Sequence, residues 1–287
     1  MQKIKKILFA TDFSENSKVA FDYALHFISE NEVYMEVLHV VPPIFEPVNV
    51  PIVDNLNMKA ALGEAVLEMK SFVQTGIANS NIPKEKILSK IQTNIEIGES
   101  VKTIGRIVKR DGIKMMIIGT RGKSNDKLFS LGSVSSGLVG KMPTDILVVP
   151  HNVSYNEIKK IAYATIHTHT DPFNIWQAKK VFNDRNIEIH CIHVANETIS
   201  DSIREKINDL KTYFAENASD TKISFSIEKG ANVAKTLLDF SKNNNIDAIV
   251  LSKTKKSLVE SLIHRSTTKD LLGIAEFPLL ILNESKK

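Results

Sequence analysis

The chain has 287 residues, of which 43% are hydrophobic and 24% are charged, a composition typical of a globular protein with one or two domains. No run of about 18 apolar residues is present, so no membrane span is expected. The N-terminal "MQKIKKILFATD" becomes acidic too early for a signal peptide, and we expect a cytoplasmic protein. A net charge of +4 without a long basic block argues against nucleic-acid binding, and a single cysteine excludes an internal disulfide.

The sequence contains two copies of one domain. The matching pairs are "KKILFATD" with "KKIAYATI" and "VLHV" with "CIHV" at an offset of 154, "IEIGESVKTI" with "IEKGANVAKT" at 132, and "MPTDILVV" with "FPLLILN" at 135. We therefore predict domains at 1–150 and 158–284, with 22 extra residues between the second and third strands of the first copy. That insertion includes "PPIFEPVNVP", whose prolines oppose a regular helix or a central strand.

The hydrophobic periodicity predicts alternating strands and helices in each copy. In the first copy the strands lie near 4–10, 34–41, 88–96, 114–118 and 144–149, and the helices lie near 15–30, 55–80, 99–112 and 132–141. The almost wholly apolar strands "MMII" and "DILVV" suit a parallel sheet that is covered on both faces. Ser14 is a candidate N-cap for the first helix. This pattern predicts two doubly wound α/β domains in tandem.

A glycine-containing loop follows the fourth strand, in "MMIIGTRGKSNDKLFSLGSVSSGL" at 115–138. A doubly wound sheet binds ligands at the carboxyl ends of its strands, where Gly119 and Gly122 are expected. Gly132 and Ser133 then open the next helix, whose free amide groups attract phosphate. The loop therefore predicts a phosphate site, the alternative being ordinary turn and cap glycines. Arg121 and Lys123 either neutralise phosphate charge or lie exposed in the loop.

These residues resemble the universal stress protein family, and the resemblance extends over the whole chain as a tandem pair. It is carried by "KKILFATDFSENSKVAFDYA", by "LHVV", and by the glycine spacing, which matches the ATP-binding pattern of the family. The resemblance implies a Rossmann-like fold of the adenine nucleotide alpha hydrolase type and a bound ATP, with or without Mg²⁺. The implied nucleotide-binding residues are Ala10, Thr11, Asp12, Val40, Ile118, Gly119, Arg121, Gly122, Gly132, Ser133 and Val134. For Asp12 the alternative role is to cap the helix that follows.

The second copy departs from this pattern. Ile166 replaces Asp12, and the loop "LSKTKKSLVESLIHRSTTKDLL" contains no glycine and is expected to be two residues shorter. We therefore expect no ATP in the second domain. His167, His169, His193 and His264 raise the possibility of zinc, but His193 corresponds to His39 of the first copy, which favours a shared structural role.

No catalytic triad, Walker loop or metal-ligand spacing can be assigned, so no catalytic or metal site is predicted. The leading hypothesis is a stress-response regulator that binds ATP in its N-terminal domain and acts through an unknown protein partner. The alternatives are a slow ATPase and an interaction module that needs no nucleotide. The apolar last strands "ILVVP" and "LLILN" predict an intrachain pseudo-dimer, and a further homodimer is possible.

Overall fold

The structure is a computed structural model that describes residues 4–43, 56–120, 132–165, 169–182, 186–195, 199–253 and 270–283. The chain divides into two compact units, Met1–Tyr155 and Asn156–Lys287. Tyr155 belongs to the first unit because its ring stacks on His26 with a centroid distance of 4.3 Å and its hydroxyl donates to Glu30. The first unit therefore extends beyond the predicted limit at residue 150.

The first unit alternates strands and helices as the periodicity predicts. In chain order its elements are β1 (Lys6–Ala10), α1 (Glu15–Glu30), β2 (Tyr34–Val41), α2 (Leu56–Asn79), α3 (Lys84–Ile87), β3 (Ile91–Ile97), α4 (Ser100–Arg110), β4 (Met115–Gly119), α5 (Ser133–Lys141) and β5 (Asp145–Val149). Ser14 is the N-cap of α1, as predicted, and its side chain accepts from the Ser17 amide. The "PPIFEPVNVP" segment lies mostly outside the described residues.

The strands of the first unit form a parallel sheet in the order β3-β2-β1-β4-β5. Every residue of β4 and β5 is buried, because helices cover both faces of the sheet. The chain leaves β1 toward β2 on one side and returns to β4 on the other. The topological switch point, where doubly wound sheets bind ligands, therefore lies between the carboxyl ends of β1 and β4.

The predicted start of the third strand, near residue 88, is wrong. A short helix, α3, and a 3₁₀ turn at Leu88–Lys90 precede β3, which begins at Ile91. The Lys90 ammonium group ties this turn to the end of α1, because it donates to the carbonyl oxygens of Ile28 and Asn31. These bonds serve carbonyl groups that the helix itself leaves unpaired.

The second unit repeats the same architecture. Its elements are β6 (Lys160–Ala164), α6 (Asp171–Val181), β7 (Glu188–Ala195), α7 (Asp201–Asn217), β8 (Ile223–Lys229), α8 (Val233–Asn243), β9 (Ala248–Lys253) and β10 (Leu279–Asn283). The strand order β8-β7-β6-β9-β10 is again parallel and equivalent to that of the first unit. The predicted tandem of doubly wound domains is confirmed.

The strand registers correct one part of the repeat alignment. Gly119 pairs with Val149 in the first unit, and Ser252 pairs with Leu282 in the second, so 30 residues separate the partners in both units. The loop of the second copy is therefore not two residues shorter. The match of "MPTDILVV" with "FPLLILN" misled because both segments are apolar strands and tolerate a shift by two residues.

The helices in the described part of the chain include none that is both long enough and apolar enough to span a membrane.

Candidate functional site

A cavity of about 270 Å³ opens at the switch point of the first unit. The ends of β1, β2 and β4 form its floor, and α1, α4 and α5 form its walls. The lining residues are Ala10, Thr11, Asp12, Ser17, Leu38, His39, Val40, Ser100, Ile104, Ile118, Gly119, Gly132, Ser133, Val134, Ser135 and Leu138. The cavity therefore combines an apolar interior with hydroxyl, carboxylate and imidazole groups, as expected of a small-molecule site.

Asp12 lies in the turn between β1 and α1, where it both bonds to the start of α1 and lines the cavity. Its Oδ1 atom accepts from the Ser14 amide at 3.1 Å and from the Ser17 hydroxyl at 2.8 Å. These bonds hold the carboxylate against the first turn of α1, while the residue also lines the cavity. The role in shaping the helix start and the role in the cavity are thus compatible, where the sequence posed them as alternatives.

The turn is further fixed by an unusual backbone conformation. Phe13 has a φ angle of +60°, which is uncommon for a bulky side chain. Its ring stacks on His39 at 4.3 Å and meets Phe72 of α2 at 5.6 Å. His39 in turn contacts the Thr11 carbonyl oxygen through Nδ1 at 2.9 Å. Aromatic packing therefore holds a strained turn at the edge of the cavity, as is common at functional sites.

Helix α5 begins at the cavity and supplies its main group of donors. Its N-cap is Gly132, so no side chain caps the first amide groups of this helix. The cavity is lined by Gly132, Ser133, Val134 and Ser135. The first amide groups of a helix without a side-chain cap carry a partial positive charge that favours an anion. The Ser135 hydroxyl donates to the Gly119 carbonyl oxygen at 2.9 Å and ties this helix to the end of β4.

Gly119 has a packing reason in addition to its place in the cavity. A Cβ atom at this position would lie 3.2 Å from the Asn16 carbonyl oxygen and 3.6 Å from the Ala20 side chain. The glycine therefore permits α1 to lie close against the end of β4. By the strand register, Ser252 stands at the equivalent place in the second unit.

Nine of the eleven residues implied by the family resemblance meet around the cavity: Ala10, Thr11, Asp12, Val40, Ile118, Gly119, Gly132, Ser133 and Val134. Arg121 and Gly122 lie outside the described residues, as does Lys123. Seven further residues line the cavity and were not predicted from the sequence: Ser17, Leu38, His39, Ser100, Ile104, Ser135 and Leu138. The pair Ser100 and Ile104 carried a usable signal, because residues four apart share one face of a helix.

The equivalent place in the second unit holds a buried polar network. Asp171, which is 1% exposed, accepts from the Tyr163 hydroxyl at 2.9 Å and from the Thr165 hydroxyl. The Asn174 amide lies 3.4 Å and Ser252 Oγ lies 3.5 Å from the Tyr163 hydroxyl oxygen. Burial, together with the charge of Asp171, raises the pKa of Tyr163 well above its usual value, so this hydroxyl stays protonated and can donate.

The two histidines that correspond between the copies make the same contact. His193 Nδ1 lies 3.3 Å from the Thr165 carbonyl oxygen, as His39 Nδ1 lies beside Thr11. The shared structural role that the sequence suggested is confirmed. Across the described residues, no group of three or more His, Cys, Asp or Glu side chains is arranged to hold a metal ion; His167 and His264 lie outside those residues.

The order of the strands and the cavity at the switch point define a Rossmann-like α/β protein. The model of the universal stress protein family matches residues 3–150, slightly more than half of the chain, and the chain belongs to this family.

Relatives and solved structures agree with this family. Universal stress protein MJ0577 of Methanocaldococcus jannaschii is 29% identical over 153 residues, which cover 50% of this chain and 94% of that protein. The crystal structure of a universal stress protein from Archaeoglobus fulgidus matches 98% of this chain and 97% of its own, with a TM-score of 0.70 and 19% identity. Because that identity is low, the structure supports the two-domain fold alone.

A universal stress protein solved in complex with cAMP matches 45% of this chain and all of its own, with a TM-score of 0.35 and 15% identity. Its ligand is a property of that protein, and the low TM-score carries no argument for this one.

Proposed function

We propose that the first unit binds ATP or a related adenine nucleotide and that the bound nucleotide regulates the affinity of the protein for a protein partner. The chemistry at the two sides of the cavity carries this proposal. Asp12 offers a carboxylate, which suits hydroxyl donors and repels phosphate. The first turn of α5 offers amide donors, which attract phosphate and have no side-chain cap to compete with.

A nucleotide matches this arrangement because it carries both kinds of group. Its ribose hydroxyls can donate to Asp12, while its phosphate oxygens can accept from α5. The apolar side chains of Val40, Ile118 and Leu138 offer a surface for the base. Arg121 and Gly122, in the loop between β4 and α5, remain part of the proposed site by resemblance, and Mg²⁺ would accompany the phosphates there.

We propose that the second unit binds no ATP. The hydroxyl groups of Tyr163 and Thr165 at its switch point are directed to Asp171, not left for a ligand. In addition, Ile166 corresponds to Asp12 in the sequence alignment of the two copies, and an isoleucine side chain cannot accept a hydrogen bond from a ribose hydroxyl.

Equilibrium binding of ATP to the full chain tests the proposal. We expect saturable binding, competition by ADP, and no competition by free ribose. Binding that is absent at millimolar ATP would contradict the proposal and favour an interaction module without nucleotide. Phosphate release under single-turnover conditions then distinguishes a regulator, which retains ATP, from a slow ATPase.

A further inference from the structure

Ser100 and Asn232 occupy the same position in the two copies but have different tasks. The match of "IEIGES" with "IEKGAN" aligns them, and the equivalent pairing of Met35 with Ile91 and of Ile189 with Ile223 supports this offset of 132. Asn232 is the N-cap of α8, and its side chain accepts from the Lys235 amide at 2.9 Å. Its counterpart in the first unit does not perform this task.

Glu99 caps α4 in place of Ser100. Its two carboxylate oxygens accept from the amides of Val101 at 3.2 Å and Lys102 at 3.0 Å. Serine is among the best N-cap residues, yet here the cap lies one residue earlier. The Ser100 hydroxyl therefore does not cap the helix, as the side chain of Asn232 does in the second unit.

Ser100 lies in the wall of the cavity. Ser100 and Ile104, one turn apart on α4, both line the cavity. Within the described ranges, no residue hydrogen-bonds to the Ser100 hydroxyl. A serine in a cavity wall whose hydroxyl does not cap a helix can offer that hydroxyl to a ligand as both donor and acceptor.

The packing of α4 against α5 indicates which part of a ligand Ser100 would meet. A Cβ atom on Gly137 would lie 2.8 Å from the Val101 side chain, so the start of α4 lies beside α5. Gly137 is one helical turn after Ser133, where the amide donors of α5 begin. Ser100 therefore flanks the side of the cavity that attracts phosphate.

We propose that the Ser100 hydroxyl donates a hydrogen bond to a phosphate oxygen of the nucleotide and so raises the preference of the site for nucleotide over nucleoside. This inference rests on the proposed function. It adds a contact from α4 to those expected from α5 and from the glycine loop. It also gives the use of Glu99 as the cap of α4 a consequence for binding, because the Ser100 hydroxyl is then not needed as a cap.

The test compares the two aligned positions in the full chain, by calorimetry with ATP, by competition with adenosine, and by thermal unfolding. Ser100→Ala should weaken ATP binding about tenfold or more, since it removes a hydrogen bond to a charged group. Adenosine binding should change less than about twofold, and the melting temperature should stay the same. Ser100→Thr, which keeps the hydroxyl, should restore ATP affinity. Asn232→Ala should do the reverse of Ser100→Ala: it should lower the melting temperature and leave ATP affinity unchanged.

Several results would overturn the inference. They are unchanged ATP affinity in Ser100→Ala, an equal loss for ATP and adenosine, or a fall in melting temperature like that of Asn232→Ala. A wild-type chain that binds neither ligand would refute the proposed function itself. If the wild-type chain binds ATP but Ser100→Ala gives one of the results above, only the role of Ser100 is refuted.

Discussion

The switch points of the two units share a backbone plan but dispose their polar groups differently. In the first unit, Asp12 follows the strand and lies at a cavity, where Ser17 of α1 donates to it. In the second unit, Asp171 takes the place of Ser17 on the helix and accepts from Tyr163 and Thr165. The carboxylate thus lies at the end of the strand in the first unit and in the first turn of the helix in the second unit.

This difference shows how the polar groups at a switch point can be rearranged without loss of the fold. Buried polar groups must be paired, and a ligand can supply the pairing as well as a neighbouring side chain can. Tyr163 stands where Phe9 does, and Asn174 stands where Ala20 does, so the second unit gains groups that satisfy Asp171 internally. Variants at the two switch points can show whether these two arrangements are functionally distinct.

The largest expected effect comes from Gly132→Val. The φ and ψ angles of Gly132, −63° and 155°, are accessible to valine, so the backbone is not strained. Because Gly132 lines the cavity at the start of α5, we expect the added side chain to take up space there. We expect ATP affinity to fall by about 100-fold or more, because several amide contacts are lost together. Calorimetry measures this.

Gly140→Val provides the matched control at the other end of the same helix, where an added Cβ meets nothing within 4 Å. It should leave ATP affinity unchanged. Tight binding in Gly132→Val would return that glycine to the status of an ordinary helix-start residue.

Asp171→Ala should be the most damaging change in the second unit. It leaves the hydroxyls of Tyr163 and Thr165 buried without their acceptor, which costs about 2–4 kcal/mol in the free energy of unfolding. Trp176, the one tryptophan of the chain, lies on α6 and reports the unfolding of this unit by its fluorescence during a urea titration. ATP binding should not change.

The matched variant is Ser17→Ala at the aligned position of the first unit. It should not shift the unfolding transition that Trp176 fluorescence reports. It should weaken ATP binding, because Asp12 loses the hydrogen bond from the Ser17 hydroxyl and keeps the one from the Ser14 amide. If both variants shifted the same transition and neither altered binding, the functional contrast between the units would be lost.

Asp12→Asn gives a smaller effect and isolates the charge. The amide oxygen of asparagine can still accept from Ser14 and Ser17, so the turn and the melting temperature should be preserved. ATP affinity should fall about tenfold, which corresponds to about 1.4 kcal/mol. Asp12→Ala should lose more affinity and also lower the melting temperature, since the turn loses its acceptor. Unchanged calorimetric affinity in Asp12→Asn would restrict this carboxylate to shaping the helix start.

The sequence predicted most of the fold because apolar periodicity and the internal repeat constrain it twice. The start of β3 was missed because the bond between Lys90 and the end of α1 spans about 60 residues and leaves no local signal. For the site, glycine spacing and strand ends identified residues that do meet around the cavity. The Asp171 network escaped notice because its members come from β6, α6 and β9, and only folding brings them together.

The number of ATP molecules bound per chain, measured by native mass spectrometry over a titration and checked by calorimetry, distinguishes binding in the first unit alone from binding in both units. We expect saturation at one ATP per chain, with no bound ATP in Gly132→Val and one ATP in Asp171→Ala. Saturation at two ATP molecules per chain, or one ATP that persists in Gly132→Val, would contradict it.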